Sequence, residues 1–206
     1  MNTEKILVLI AIVAIIIALL SFSTKGAEMV DRKETSVIII HHSAGASGNA
    51  EIFRKHHVGV NNWSDIGYHF VVCNGNGGVD GKIEVGRPLR KQGAHAGSVR
   101  NKNSVGVCLV GEDKFTENQI AETVVLVAKL CYKYDIEPSA KTIQPHHDKC
   151  PGPGLDVNRI IWESKELLDF YKELVRINKA LLSAGLFYFS GQVGFSSNQL
   201  CIWPAL

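Results

Sequence analysis

The chain lacks the features that would mark a nucleic-acid binder, a disulfide scaffold or a disordered segment. It has no Lys/Arg block, and 22 basic against 20 acidic side chains leave a formal net charge of only +2. A basic face for a phosphate backbone is therefore excluded. No Cys-x-x-Cys pair occurs. Five cysteines at Cys73, Cys108, Cys131, Cys150 and Cys201 are odd in number and widely spaced, so they form no disulfide framework. The chain also has no acidic or low-complexity bias of the kind that prevents a core from forming. From Ala180 to Leu206 no charged residue appears, and Gly185, Gly191 and Gly194 interrupt that stretch. It reads as a tail of unassigned role.

Charge is also missing from Ile6 to Phe22, a run of Ile, Leu, Val and Ala. As a helix it would span about 25 Å at 1.5 Å per residue, close to the ~30 Å hydrocarbon core of a bilayer. Ser21-Phe22-Ser23 offers small residues for cleavage, but no Ala-x-Ala pattern is present. Residues 1–23 are thus expected to be a signal peptide or signal anchor, with retention favoured by the Ile/Val/Leu content. Either reading exports the rest of the chain, to a periplasmic or membrane-anchored position.

What is present fits one domain with appendages. Residues 24–35 are polar and read as a linker. Val37 to Ile40 is a β-branched run expected as a buried strand. Asn49 can cap a helix running towards His57. Gly67 to Val72 predicts a second strand, and the turn cluster Asn74-Gly75-Asn76-Gly77-Gly78 leads to a hairpin partner at Lys82 to Val85. Ser104 to Val110 predicts a third buried strand. Thr116 with Gln119 forms a capping box before an apolar helical repeat ending near Tyr134. Thr142-Ile143-Gln144 is short and extended. Asp156 can cap a last helix carrying Ile160, Leu167, Leu168, Tyr171 and Leu174 on one stripe. The expected fold is α/β, a mixed central β-sheet flanked by helices over residues 36–179, with an N-terminal hydrophobic helix.

Two clusters carry chemistry: His41-His42-Ser43 at the end of the first strand, and His146-His147-Asp148-Lys149-Cys150-Pro151-Gly152 in a late loop. Two imidazoles and a thiolate suit zinc, whereas magnesium or calcium would want oxygen ligands. Three protein ligands leave one position open, the arrangement of catalytic rather than structural zinc. Such a metal activates water and polarises a carbonyl. Neighbouring residues on a strand point opposite ways, so His41 and His42 cannot serve one ion equally. Ordinary core or surface histidines are the plain alternative. Cys73 and Cys108 sit in apolar runs and read as free buried thiols, with a bridge between them as the alternative in an oxidising compartment.

In order and spacing, the sequence resembles the zinc-dependent N-acetylmuramoyl-L-alanine amidases of the phage T7 lysozyme and peptidoglycan-recognition-protein type. The resemblance runs from Val37 to Asp156. It is carried by His41-His42-Ser43-Ala44, Trp63-Ser64-Asp65-Ile66-Gly67-Tyr68-His69-Phe70, Gly93-Ala94-His95-Ala96, Asn103 to Gly111, and His146 to Gly152. It implies His41, His146 and Cys150 as ligands of one catalytic Zn2+, with His42 and His147 in packing or supporting roles. It implies Tyr68 as the proton-transfer partner; the family's alternative, a Glu on the Ser104–Val110 strand, is absent. Lys149 is the candidate oxyanion stabiliser, although it lies directly before Cys150 where the family's lysine stands two residues before. His95 is expected at the substrate or in support of the site. His56, His57 and His69 are expected to pack.

The expected function is hydrolysis of the amide between N-acetylmuramic acid and L-alanine in peptidoglycan. The expected partners are peptidoglycan and, through an uncleaved N-terminus, a membrane; the protein is expected to be a monomer. A non-catalytic recognition module on the same fold and a membrane-anchored scaffold are the rivals.

Overall fold

The computed structural model describes residues 28–184 and the single residue Ile12. The rest of the apolar segment Ile6–Phe22 and the tail from residue 185 onward lie outside the described residues. Among the described residues no helix is long and apolar enough to cross a membrane.

The sheet is centred on β1 (Val37–His42), whose Ile-rich run suits a strand covered on both faces. β1 pairs in parallel with β4 (Ser104–Leu109) on one side and with β5 (Ile143–Pro145) on the other. β2 (Phe70–Val72) lies parallel to β4, and β3 (Ile83–Val85) returns antiparallel to β2. The order is β3-β2-β4-β1-β5, leaving β5 at an edge. Parallel neighbours need crossovers, which are supplied by α1 (Ala50–Gly59), the single turn α2 (Gly97–Arg100) and α3 (Glu117–Tyr134). α4 (Val157–Ser183) closes the domain.

The side-chain period of two divides β1 between two environments. Ile38 and Ile40 join Val105, Val107 and Leu109 against Leu126, Val127 and Leu130 of α3 and Ile160 and Leu168 of α4. His41 belongs to the opposite face, where Ala50, Ile66 and Val71 make a smaller cluster beside Phe53 and Tyr68. The helix starts are as the caps dictate. Asn49 accepts from the Ile52 amide at 2.8 Å, Thr116 and Gln119 form the reciprocal box, and Asp156 accepts from Asn158 and Arg159.

Three boundaries differ from the sequence expectation. The second strand begins at Phe70 rather than Gly67, because the carbonyls of Gly67 and Tyr68 are taken by the backbone amides of Ala94 and Arg87 instead of a neighbouring strand, while the buried guanidinium of Arg87 holds the preceding Asp65 and Ile66 carbonyls. From residue 28 onward the polar segment expected as a linker is fastened to the domain. Asp31 pairs with Lys91 and Arg90, and Arg32 donates to the carbonyl of Ser104 at 3.1 Å. The last helix continues to Ser183, past the expected domain end at residue 179. Cys73, Cys108, Cys131 and Cys150 are free thiols, so the alternative of a Cys73–Cys108 bridge is not realised.

Candidate metal centre

The parallel pairing of β1 with β5 brings the early and late histidine clusters to the same end of the sheet. Ile40 stands opposite Pro145, and the His146 amide donates to the Ile40 carbonyl at 3.1 Å. His146 therefore leaves the edge strand level with His41. Cys150 is returned to the same point by a tight turn in which the amides of His147 and Cys150 each donate to the other's carbonyl, at 3.1 and 2.9 Å. Gly152 follows with φ +85°, a left-handed conformation, and a Cβ there would sit 3.0 Å from the carbonyl oxygen of Glu112. A side chain is disfavoured at that position on both counts.

One ligand atom from each of His41, His146 and Cys150 lies within 4.8 Å of the others. His41 and Cys150 are buried and His146 is half-buried. His41 turns Nδ1 towards Cys150 Sγ at 3.9 Å. That spacing leaves room for an ion between them, given zinc bonds of about 2.3 Å to sulfur and about 2.0 Å to nitrogen. His42 is different. Its Nδ1 is 3.2 Å from Cys150 Sγ, an N–H···S hydrogen-bond distance. At the very end of β1 both imidazoles reach the same sulfur, His41 as a candidate ligand and His42 through a hydrogen bond. His147 lies outside this trio, exposed, with Nδ1 accepting the Lys149 amide.

The environment suits the donor set. Burial, then the charges of His146 and Arg100, holds His41 well below the usual imidazole range. Burial and the neighbouring His147 and Arg100 lower His146 as well. Both imidazoles are therefore neutral at pH 7, the form that binds metal. Burial raises the Cys150 thiol, so an incoming cation would have to displace its proton.

Behind His41 stands His95, only 8 % exposed. Its Nδ1 lies 3.0 Å from His41 Nε2. With Nδ1 ligating an ion, Nε2 would carry the proton and donate to His95, which would fix the ring. The sheet makes space for this histidine at Gly106, where a Cβ would come within 2.6 Å of its ring. His95 Nε2 has no hydrogen-bond partner among the described residues. His95 thus lies buried directly behind His41.

Tyr68 stands beside the trio, its ring centroid 5.2 Å from that of His41. Burial, with Cys108 and Cys150 near by, pushes its phenol far above the ordinary tyrosine range. In the metal-free chain burial thus keeps the phenol protonated, as a hydrogen-bond donor. Tyr68 lines a groove of about 390 Å³ together with Ser43, Phe53, His56, His57 and Asn61. His57 is locked there: Nδ1 accepts the Gly67 amide at 3.1 Å and the ring stacks on Trp63. The sequence reading placed His56 and His57 in packing roles. No local pattern marks them as groove residues, because their position depends on how α1 docks. His69 is fully buried, accepting from the Gly106 amide and contacting the Lys91 carbonyl, in keeping with a packing role. Lys149 is exposed, with its backbone amide bonded to His147.

The donor set and the adjoining groove make a candidate metal-binding site, and comparison with known proteins gives the family. Residues 31–153 match the family described as N-acetylmuramoyl-L-alanine amidase. The chain belongs to this family of peptidoglycan amide hydrolases. It is 35% identical over 151 residues to the endolysin of Enterobacteria phage T3 and 34% identical over 151 residues to that of Escherichia phage T7. Each match covers 66% of this chain and 91% of the relative. Among solved structures, the N-acetylmuramoyl-L-alanine amidase LysC from Clostridium intestinale URNW superposes with a TM-score of 0.58 at 25% identity, covering 66% of this chain and 88% of that one.

Proposed function

We propose that the chain is a zinc-dependent amidase that cleaves the bond between the lactyl group of N-acetylmuramic acid and L-alanine. Its ion would be held by His41, His146 and Cys150. The observation that carries this reading is the convergence of one buried thiol and two neutral imidazoles within 4.8 Å. Such a donor set suits zinc and leaves a coordination position free. When bound, zinc supplies Lewis acidity, polarising the scissile carbonyl and lowering the pKa of the attacking water.

The chain's own groups do the rest. His95 and His42 hold His41 and Cys150 in place. Tyr68, kept protonated by burial, donates a hydrogen bond where negative charge develops on the carbonyl oxygen. Hydrolysis adds the water oxygen to the carbonyl carbon, breaks the C–N bond and delivers a proton to the departing L-alanine nitrogen. The groove beside Tyr68 positions the substrate, with the locked His57 ring on its wall. Lys149 assists only if the turn swings it inward. Export or membrane attachment through residues 1–23 would bring the domain to the cell wall.

The test is direct. The purified full-length chain should carry roughly one zinc per molecule and release stem peptides with a free L-alanine amino terminus from cell walls. A chain without zinc that still binds peptidoglycan would instead be a recognition module. Loss of cross-links with the lactyl amide intact would move the cleaved bond into the peptide.

A further inference from the structure

We propose that Arg100 is a positioning residue of the metal centre, fixing from behind where His146 and Cys150 stand relative to His41. The proposal rests on the zinc reading above but concerns a residue outside the ligand set. β5 is an edge strand of three residues, paired only through β1. Its pairing holds the His146 amide, through Ile40, but leaves the outward carbonyls without a strand partner.

Arg100 takes them. One terminal nitrogen donates to the His146 carbonyl at 2.7 Å; the other donates to Gln144 Oε1 at 3.0 Å and the Pro145 carbonyl at 3.3 Å. A planar fork with several donors can grip three acceptors in one geometry, which an ammonium group cannot. His146 runs directly into the closed His147–Cys150 turn, so a grip on the His146 carbonyl places both ligands.

Arg100 is itself anchored. Ser104 Oγ donates to its carbonyl at 2.6 Å, and Asn101 Oδ1 receives the amides of His95 and Ala96 at 3.1 and 2.9 Å. The segment 95–101 thus carries at one end the imidazole that orients His41 and at the other the guanidinium that orients His146. One short loop ties a ligand from the sheet centre to a ligand from the sheet edge. Arg100 is only half-buried, and water can replace its bonds if it is removed. Its loss should therefore loosen the geometry of the centre more than the stability of the fold.

The test uses full-length protein and its Arg100→Met and Arg100→Lys variants. Zinc affinity is measured by chelator competition, the visible spectrum is recorded after loading with cobalt(II), and the metal-free melting temperature is recorded for each. Arg100→Met should weaken zinc binding about 10- to 100-fold, the scale of supporting-residue losses at metal sites, and alter the cobalt spectrum. Arg100→Lys should recover only part of this. Wild-type affinity and spectrum in Arg100→Met overturn the proposal, as does a lowered metal-free melting temperature with an unchanged cobalt spectrum. If Arg100→Met fails to fold, Arg100→Lys decides: wild-type affinity and spectrum there also overturn it. A wild-type chain that binds no zinc defeats the proposed function instead, and that result is distinguishable from the others.

Discussion

His41 enters the centre from the middle of the sheet, whereas His146 and Cys150 enter from its edge. β1 is paired on both sides, and His41 is only 1 % exposed. Its place follows from strand register and the hydrophobic alternation of its neighbours. The late ligands sit on a short backbone-closed turn beyond a three-residue strand, and side-chain hydrogen bonds hold that turn: Arg100 to the His146 carbonyl and His42 to the Cys150 sulfur. One half of the centre is thus set mainly by strand pairing, and the other by a short turn that individual polar contacts hold in place. The sheet half should tolerate change around it, while the turn half should respond to single contacts.

The largest effect should come from removing a ligand on either side. His41→Ala and Cys150→Ala are each expected to lose stoichiometric zinc and reduce cell-wall hydrolysis to background, as measured by metal analysis and turbidity of cell-wall suspensions. Retained zinc in Cys150→Ala would mean that the turn half is dispensable. Tyr68→Phe, which leaves both halves intact, should lower kcat by about 10²-fold with zinc still bound; unchanged turnover removes the phenol from the chemistry.

A smaller effect tests the sheet half through pH. Burial lowers His69 to about 4 in the folded chain, against about 6.5 when unfolded. The unfolded chain therefore binds the extra proton between those values. The contribution is full above about 6.5 and is lost as pH falls towards about 4, reaching about 3 kcal/mol. Denaturant unfolding of metal-free protein at pH 7.5 and 4.5 should show this loss, and His69→Gln should reduce the difference. The smallest effect is expected for Lys149→Ala, an exposed residue of the turn. Its turnover should stay within about threefold of wild type, at the level of a surface substitution. A loss of 10²-fold would show that the turn moves Lys149 to the substrate and that the edge half is mobile during catalysis.

The contrast also marks how far the sequence could be read. The β-branched run before His41, the Asn49 and Asp156 caps and the Thr116–Gln119 box are local signals, so the strand and the helix starts could be read directly. The candidate trio was accessible through the order and spacing of several blocks, because register between parallel strands carries those blocks to one end of the sheet. Arg87 and Arg100 left no such trace. Each acts on backbone carbonyls, which every residue possesses, so no sequence pattern announces the contact. His57 likewise became a groove residue only when α1 packed beside Tyr68. The polar residues from 28 to 35 resembled a spacer because their partners, Lys91, Arg90 and the Ser104 carbonyl, lie far along the chain.

The Arg100 fork has a consequence beyond the metal. A sheet edge with free carbonyls is a template on which another chain can add a strand. Here β5 is short, contains Pro145 with no amide to offer, and has its Pro145 and His146 carbonyls occupied by the guanidinium. The contact that places a candidate ligand therefore also blunts an edge at which two copies could pair.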